Sequence, residues 1–340
     1  MNFGQIDQII LFGGAPLLSV FAQHLKRRGA SVTVFSSKRH LQELIMQENQ
    51  SLEAVLKKNN IPYYSCSDIN QDPHIRPLIT GRTLGIGLGE VWSFRKDLID
   101  LFGGRLLDFM GIRLPQYRGG AHYSWQILRK NRIGCCNLQI INEDMVQGVF
   151  DSGEIVKSRE YFFPVSARIP QDYFDFAVKQ ELAFLEEFLE EIKAGRDFPL
   201  TRVQENFSLY FPRLYTIKHA YINWDWDGPD IELFICAFDD PYPGASTFLN
   251  GRRFFLKDCY FEPGDGPFHP FQVGLIYRIA NDSIFVATKN GTLIVKKIFD
   301  ENGINILSQV KLGQRLFTPM KYLEEAMTYQ AVYDAEGIVE

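Results

Sequence analysis

Two aspartates are the residues of this chain best suited to moving a proton. Asp108 lies in Leu107-Asp108-Phe109-Met110-Gly111-Ile112-Arg113-Leu114-Pro115-Gln116-Tyr117-Arg118-Gly119-Gly120, and Asp151 lies in Phe150-Asp151-Ser152-Gly153-Glu154-Ile155. The first segment reads as a strand end running into a Leu-Pro-x-Tyr-Arg-Gly loop and the second as a tight turn, so together they outline a pocket. Two carboxyl groups sharing a dry site do not both ionise: one keeps its proton and can donate, while the other stays charged and can accept. Arg118 adds a planar fork of donors suited to a phosphate or carboxylate, with Gly119 beside it. His122, a few residues further on, is the nearest imidazole and falls where a helix is expected to begin.

The elements that hold these residues follow a strand, helix, strand order. Ile9-Ile10-Leu11-Phe12 is an apolar strand that breaks at Gly13-Gly14, and apolar residues then recur at helical spacing until Gly29, ahead of a strand at Val32-Thr33-Val34-Phe35. That order calls for a parallel sheet with right-handed crossovers. A second helix is expected over 51–60, strands over 83–88 and 105–109, a helix over 124–130, and paired strands over 136–141 and 154–161. The clearest helix covers 174–194, apolar along one face and Glu-rich along the other. Beyond Pro199 short strands follow one another closely, with Asn250-Gly251 as a hairpin signal, so a small barrel is expected.

These segments resemble those of the formyltransferase family that uses 10-formyltetrahydrofolate, whose pattern is Asn-x-His-x-x-Leu-Leu-Pro-x-Tyr-Arg-Gly with a later Asp-x-Gly. The resemblance extends to the second half, where Ile222-Asn223-Trp224 and Pro241-Tyr242-Pro243-Gly244-Ala245 look like the start of the carboxy-terminal barrel of methionyl-tRNA formyltransferases. It implies an α/β fold: a Rossmann-like, mostly parallel sheet domain over 1–205, a small OB-like β-barrel over 206–318, and a helical tail over 319–340. It also implies backbone contacts to the folate from Val91, Trp92, Ser93 and Phe94 and from Gln147, Gly148, Val149 and Phe150, with Arg118 and Gly119 toward the substrate.

In that family an Asn amide and a protonated His face the oxyanion, while an Asp orients the His and relays protons. Here the Asn falls on Asp108, the His on Met110 and the Asp on Asp151. A thioether neither donates a strong hydrogen bond nor carries charge, so Met110 cannot do the work of an imidazolium. Two readings stay open. In the active one, protonated Asp108 donates to the oxyanion, Asp151 is the general base and His122 replaces the missing histidine. In the silent one, the fold persists as a binding or scaffold protein.

Charge bears on the acceptor. The chain carries a net −5, and residues 206–340 hold 12 Lys plus Arg against 17 Asp plus Glu, which is unfavourable for the phosphates of tRNA. A small amine is the expected acceptor, an amino sugar on a nucleotide being one example, with a methionyl-tRNA formyltransferase homologue as the alternative. Five scattered cysteines without metal or redox spacing fit buried thiols in a reducing cytoplasm, and no apolar run reaches membrane-spanning length. No metal site is expected, Asp225-x-Asp227 reading as solvated turn carboxylates.

Overall fold

The computed structural model describes residues 1–45, 48–142, 153–334 and 337–339. Gln147, Gly148, Val149, Phe150 and Asp151 lie outside these residues. Seven strands form the first sheet: β1 (Gln8–Gly13), β2 (Ser31–Ser36), β3 (Tyr63–Ser65), β4 (Thr83–Leu88), β5 (Leu106–Met110), β6 (Ile133–Ile140) and β7 (Ile155–Phe162). Their order is β7-β6-β5-β4-β1-β2-β3. Pairing is parallel from β3 to β5, and β6 runs antiparallel to both of its neighbours. The inner strands are buried on both faces, which is why they read as unbroken apolar runs rather than alternating ones.

Alternation along each strand nevertheless assigns its residues to two cores. Ile9, Leu11, Leu107 and Phe109 pack on one face with Leu138, Phe184 and Phe188. Ile10, Phe12 and Leu106 pack on the other with Phe35, Leu98, Phe102 and Ile141. Helices α1 (Ala15–Arg27) and α5 (Pro170–Lys193) serve the first core, and α3 (Lys96–Phe102) serves the second. Between them come α2 (Leu52–Lys58), capped by the Ser51 hydroxyl accepting from Ala54 N at 3.2 Å, and α4 (His122–Leu128). The long α5 starts at Pro170, ahead of the expected 174, because Pro suits the first turn, and the Asp172 carboxylate accepts from Arg168 N and Ile169 N at 2.7 and 3.1 Å.

The second half opens with α6 (Gly228–Ala237), so Ile235-Cys236-Ala237 is helical and leads into the barrel strands. These are β8 (Ala245–Leu249), β9 (Arg252–Glu262), β10 (Ile276–Ala280), β11 (Ser283–Thr288), β12 (Gly291–Phe299) and β13 (Leu316–Phe317). Their order, β10-β11-β12-β9-β8-β13, is antiparallel throughout. Ile276 N donates to Gln314 O at 2.8 Å and Leu316 N to Gly274 O at 2.9 Å, which curls the sheet round and covers its open edge. Asn250 and Gly251 both take positive φ, as a two-residue hairpin requires. After β13 the chain is only partly helical. Helix α7 (Met320–Thr328) gives way to short antiparallel strands at Val332–Asp334 and Gly337–Val339, in a stretch richer in β-branched residues.

The two halves share one apolar core, in which Ile222, Trp224, Ile231 and Leu256 join Leu11, Phe109 and Phe184. The buried Ser124 hydroxyl ties α4 to the end of α6 by donating to Ala237 O at 2.7 Å. Ser124→Ala is expected to cost about 1 kcal/mol, seen as a lower urea midpoint at unchanged slope. All five cysteines are buried free thiols, and no helix among the described residues is long and apolar enough to cross a membrane.

Candidate active site

Register across the sheet builds the site at the carboxyl end of the parallel strands. Phe35 pairs with Phe12, Phe12 with Gly87, Gly87 with Asp108 and Asp108 with Gln139, so five consecutive strands contribute one row on one face. The first part of the row is apolar: Phe12 stacks on Phe35 at 6.0 Å and meets the edge of Phe94 at 5.0 Å. The rest is polar and buried. Gln139 Nε2 donates to Asp108 Oδ2 at 3.0 Å, with Asp108 6% and Gln139 0% exposed.

The gap at Gly87 is filled from the loop beyond β4. A Cβ on Gly87 would lie 2.6 Å from both Cδ and Oε1 of Glu90, so the Glu90 carboxyl occupies the place where a side chain would stand. Only glycine leaves that space. Glu90 is thereby set beside Asp108 on the same face, one strand spacing of about 4.8 Å away. Gly14 N donates to Leu88 O at 3.2 Å and holds the start of this loop against the end of β1.

The Leu-Pro loop is pinned from two sides. Asn137, the register partner of Met110, donates through Nδ2 to Ile112 O and accepts through Oδ1 from the Ser158 hydroxyl at 2.7 Å. Across the loop, Arg118 N donates to Leu209 O and Gly120 N to Phe211 O, each at 3.0 Å, and Tyr117 stacks on Phe211 at 5.1 Å. Arg118 and Gly119 thus form a short parallel ladder with Tyr210 and Phe211. Beneath the loop, the buried Glu181 of α5 presses its carboxyl against Gly111, whose Cβ would lie 2.7 Å from Oε1. Burial alone pushes the Glu181 carboxyl up to about 7.

His122 starts α4 but stands outside the row. Burial, helped by the Arg213 guanidinium, pulls its imidazole down to about 4, and its Nδ1 is buried without a hydrogen-bond partner among the described residues. It is therefore neutral at neutral pH, which corrects the expectation that it supplies the missing imidazolium; burial has removed the solvation that a charge there needs. Met110 is half-buried and inert.

The 91–94 segment is clamped to the loop after β3. Trp92 Nε1 donates to Ser67 O at 3.0 Å, Asn70 Nδ2 donates to Ser93 O at 3.0 Å, and Phe94 is core. Val91 is half-buried between Glu90 and this clamp. Three residues escaped the sequence reading: Glu90, Gln139 and Glu181. Polar Gln139, with Asn137, inside a mostly apolar strand was the available signal; Glu90 and Glu181 carried none. Clefts of about 710 Å³ on the barrel, around Arg252, Arg253 and Tyr322, and about 610 Å³ between α1 and α5 include no residue of the row.

The fold and site define a two-part α/β protein with a polar, partly buried site at the carboxyl edge of a mostly parallel sheet, backed by a small barrel. Residues 216–309 match the family described as formyl transferase, C-terminal domain. The methionyl-tRNA formyltransferases of Desulfotalea psychrophila and Clostridium tetani are 25% and 23% identical over 209 and 221 residues, covering 61% and 63% of this chain and 60% and 64% of theirs. The match thus spans less than two thirds of those relatives' length. The chain is thus similar to formyltransferases over its second half and to methionyl-tRNA formyltransferases over about three fifths of its length.

Solved structures show the same fold. An N-formyltransferase from Helicobacter canadensis, in complex with folinic acid and dTDP-3-aminofucose, superposes with TM-score 0.61 at 14% identity, over 87% of this chain and 100% of that one. WlaRD, a sugar 3N-formyl transferase with dTDP and 5-N-formyl-THF, gives 0.59 at 16% over 86% and 97%. HypX from Aquifex aeolicus in complex with tetrahydrofolic acid gives 0.54 at 16%, over 94% of this chain and 48% of that one.

Proposed function

We propose that this chain transfers a formyl group from 10-formyltetrahydrofolate to a small amine, such as an amino sugar carried on a nucleotide. The row of Glu90, Asp108 and Gln139 at the strand ends carries the reading, because ligands of open parallel sheets bind outside the carboxyl ends of their strands. The residues suit such a ligand. The buried Gln139 Oε1 has no partner among the described residues, so the site keeps an acceptor for an N–H group. Folinic acid with dTDP-3-aminofucose in one similar solved structure, and 5-N-formyl-THF with dTDP in another, support the pairing. The co-substrate brings the activated formyl carbon; Arg118 offers its guanidinium to a phosphate, and Phe12, Phe94 and Ile141 keep water from the polar row.

The acidic second half disfavours the tRNA acceptor of the sequence relatives. Met110 favours the silent reading, in which the fold binds its ligands without turnover. In that reading Asp151 is no base; in the proposed one it assists the proton transfer.

The test is calorimetric titration with 5-formyltetrahydrofolate, then product analysis with 10-formyltetrahydrofolate, nucleotide-linked amino sugars and charged initiator tRNA. Binding together with an N-formylated small amine is expected. Binding without any product establishes the silent reading, and turnover recovered by Met110→His would then identify the lesion. Absence of binding at millimolar ligand removes the folate and the reading with it. Formylated tRNA, with binding that weakens steeply in salt, reassigns the acceptor.

A further inference from the structure

Within the formyl-transfer reading, on which this inference rests, we propose that Glu90 is a catalytic residue and that it shares one proton with Asp108. The pair replaces the donor and acceptor functions that Met110 cannot provide. Three observations meet here. Gly87 and Asp108 are register partners, and the Glu90 carboxyl fills the side-chain position of Gly87, so the two carboxyl groups are lateral neighbours on one face. Apolar residues adjoin them on that face, where Phe12, Phe94 and Ile141 belong to one core. The third observation is independent of the acids. Gln139 is fully buried beside them, its Nε2 is committed to Asp108, and its Oε1 is unpartnered among the described residues. A buried, unpaired amide oxygen is costly unless a donor comes to it, and the amine acceptor supplies one.

Closely adjacent carboxyl groups hold one proton between them, because two like charges at that spacing repel. The ionised member takes a proton from the amine nitrogen as the new N–C bond to the formyl carbon forms. The protonated member donates a hydrogen bond to the formyl oxygen, where negative charge builds. When the bond between the formyl carbon and folate N10 breaks, N10 receives the proton taken from the amine. The amine has lost one hydrogen and gained the formyl group, N10 has gained that hydrogen, and the pair returns to its starting state.

Two measurements test this. With 10-formyltetrahydrofolate and the accepted amine, Glu90→Gln and Asp108→Asn should each lower kcat about 10²-fold or more, while 5-formyltetrahydrofolate binds within about threefold of the parent. Glu90→Gln at parental kcat overturns the proposal. The second readout needs no turnover: the infrared band of a protonated carboxyl group at neutral pH, recorded in a Glu181→Gln background to remove that buried acid. The band should be present in that background and lost on adding either Glu90→Gln or Asp108→Asn, since the remaining carboxyl then ionises alone. A band untouched by both substitutions overturns the shared proton. If the band behaves as expected but no amine is formylated, the pair stands and the formyl-transfer reading falls.

Discussion

Glu181→Gln should stabilise the folded protein by about 3 kcal/mol at about pH 8 and change it little at about pH 4. The Glu181 carboxyl lies on α5 against Gly111, and burial raises it from 4.5 to about 7. Below the unfolded value both folded and unfolded chains hold the proton, so the acid costs nothing extra. As pH rises from about 4.5 to about 7, the unfolded chain releases its proton first, and stability falls steadily across that window. Above it the loss is complete, at about 1.4 kcal/mol for each unit of displacement. Glutamine has no proton to lose, so its curve should be flat where the parent's falls.

Urea unfolding of both proteins from acid to alkaline pH measures the difference directly. Parallel curves would mean that Glu181 reaches solvent or a counter-charge when it ionises. The consequence for the site is local. Gly111 follows Met110 in the Leu-Pro loop, so charging Glu181 places an unsolvated carboxylate under the turn whose other contacts position Ile112. Burial also pushes the neighbouring thiol of Cys136 and phenol of Tyr123 up, and the charge on Glu181 adds to both, so they stay neutral and add no second negative charge beside it.

Gly119→Ala should cost on the order of 2–4 kcal/mol and weaken substrate binding together with stability. Gly119 sits at φ +109, a region that L side chains avoid, and a Cβ there would be driven into the Phe211 carbonyl oxygen. The chain must either open the ladder between Arg118–Gly119 and Tyr210–Phe211 or shift the Leu-Pro loop, and both displace Arg118. Arg118→Lys is the control: it keeps the backbone, so unfolding should be unchanged while affinity for a phosphate-bearing acceptor falls about tenfold or more. Equal stability of Gly119→Ala and the parent would show that the ladder is not needed to hold the loop.

The glycine and its neighbour separate two kinds of information. Gly119 was visible in the sequence as part of Leu-Pro-Gln-Tyr-Arg-Gly-Gly, and the backbone conformation it permits belongs to that motif. Its partner strand at 210–211 was not visible, because Tyr210 and Phe211 have no local pattern and acquire a role only by lying across the loop. Asp108 was likewise legible as a strand-end acid. Glu90 was not: nothing in Gly89-Glu90 says that its carboxyl folds back over Gly87. His122 erred in the opposite sense. Its position in the chain suited a replacement imidazolium, and burial near Arg213 removed the charge the role required.

By itself the sequence determined what depends on neighbours along the chain: the strand, helix, strand order, the hairpin at Asn250-Gly251, the long amphipathic α5 and the loop that carries the family resemblance. Tertiary structure alone decided which side chains face one another across the sheet, and therefore that Asp108 meets Gln139 and Glu90. The physical reason is that periodicity and turn preference are short-range properties of the backbone, whereas register and desolvation arise only when distant strands come together. Those two long-range effects set both the company and the charge of an acid in a site.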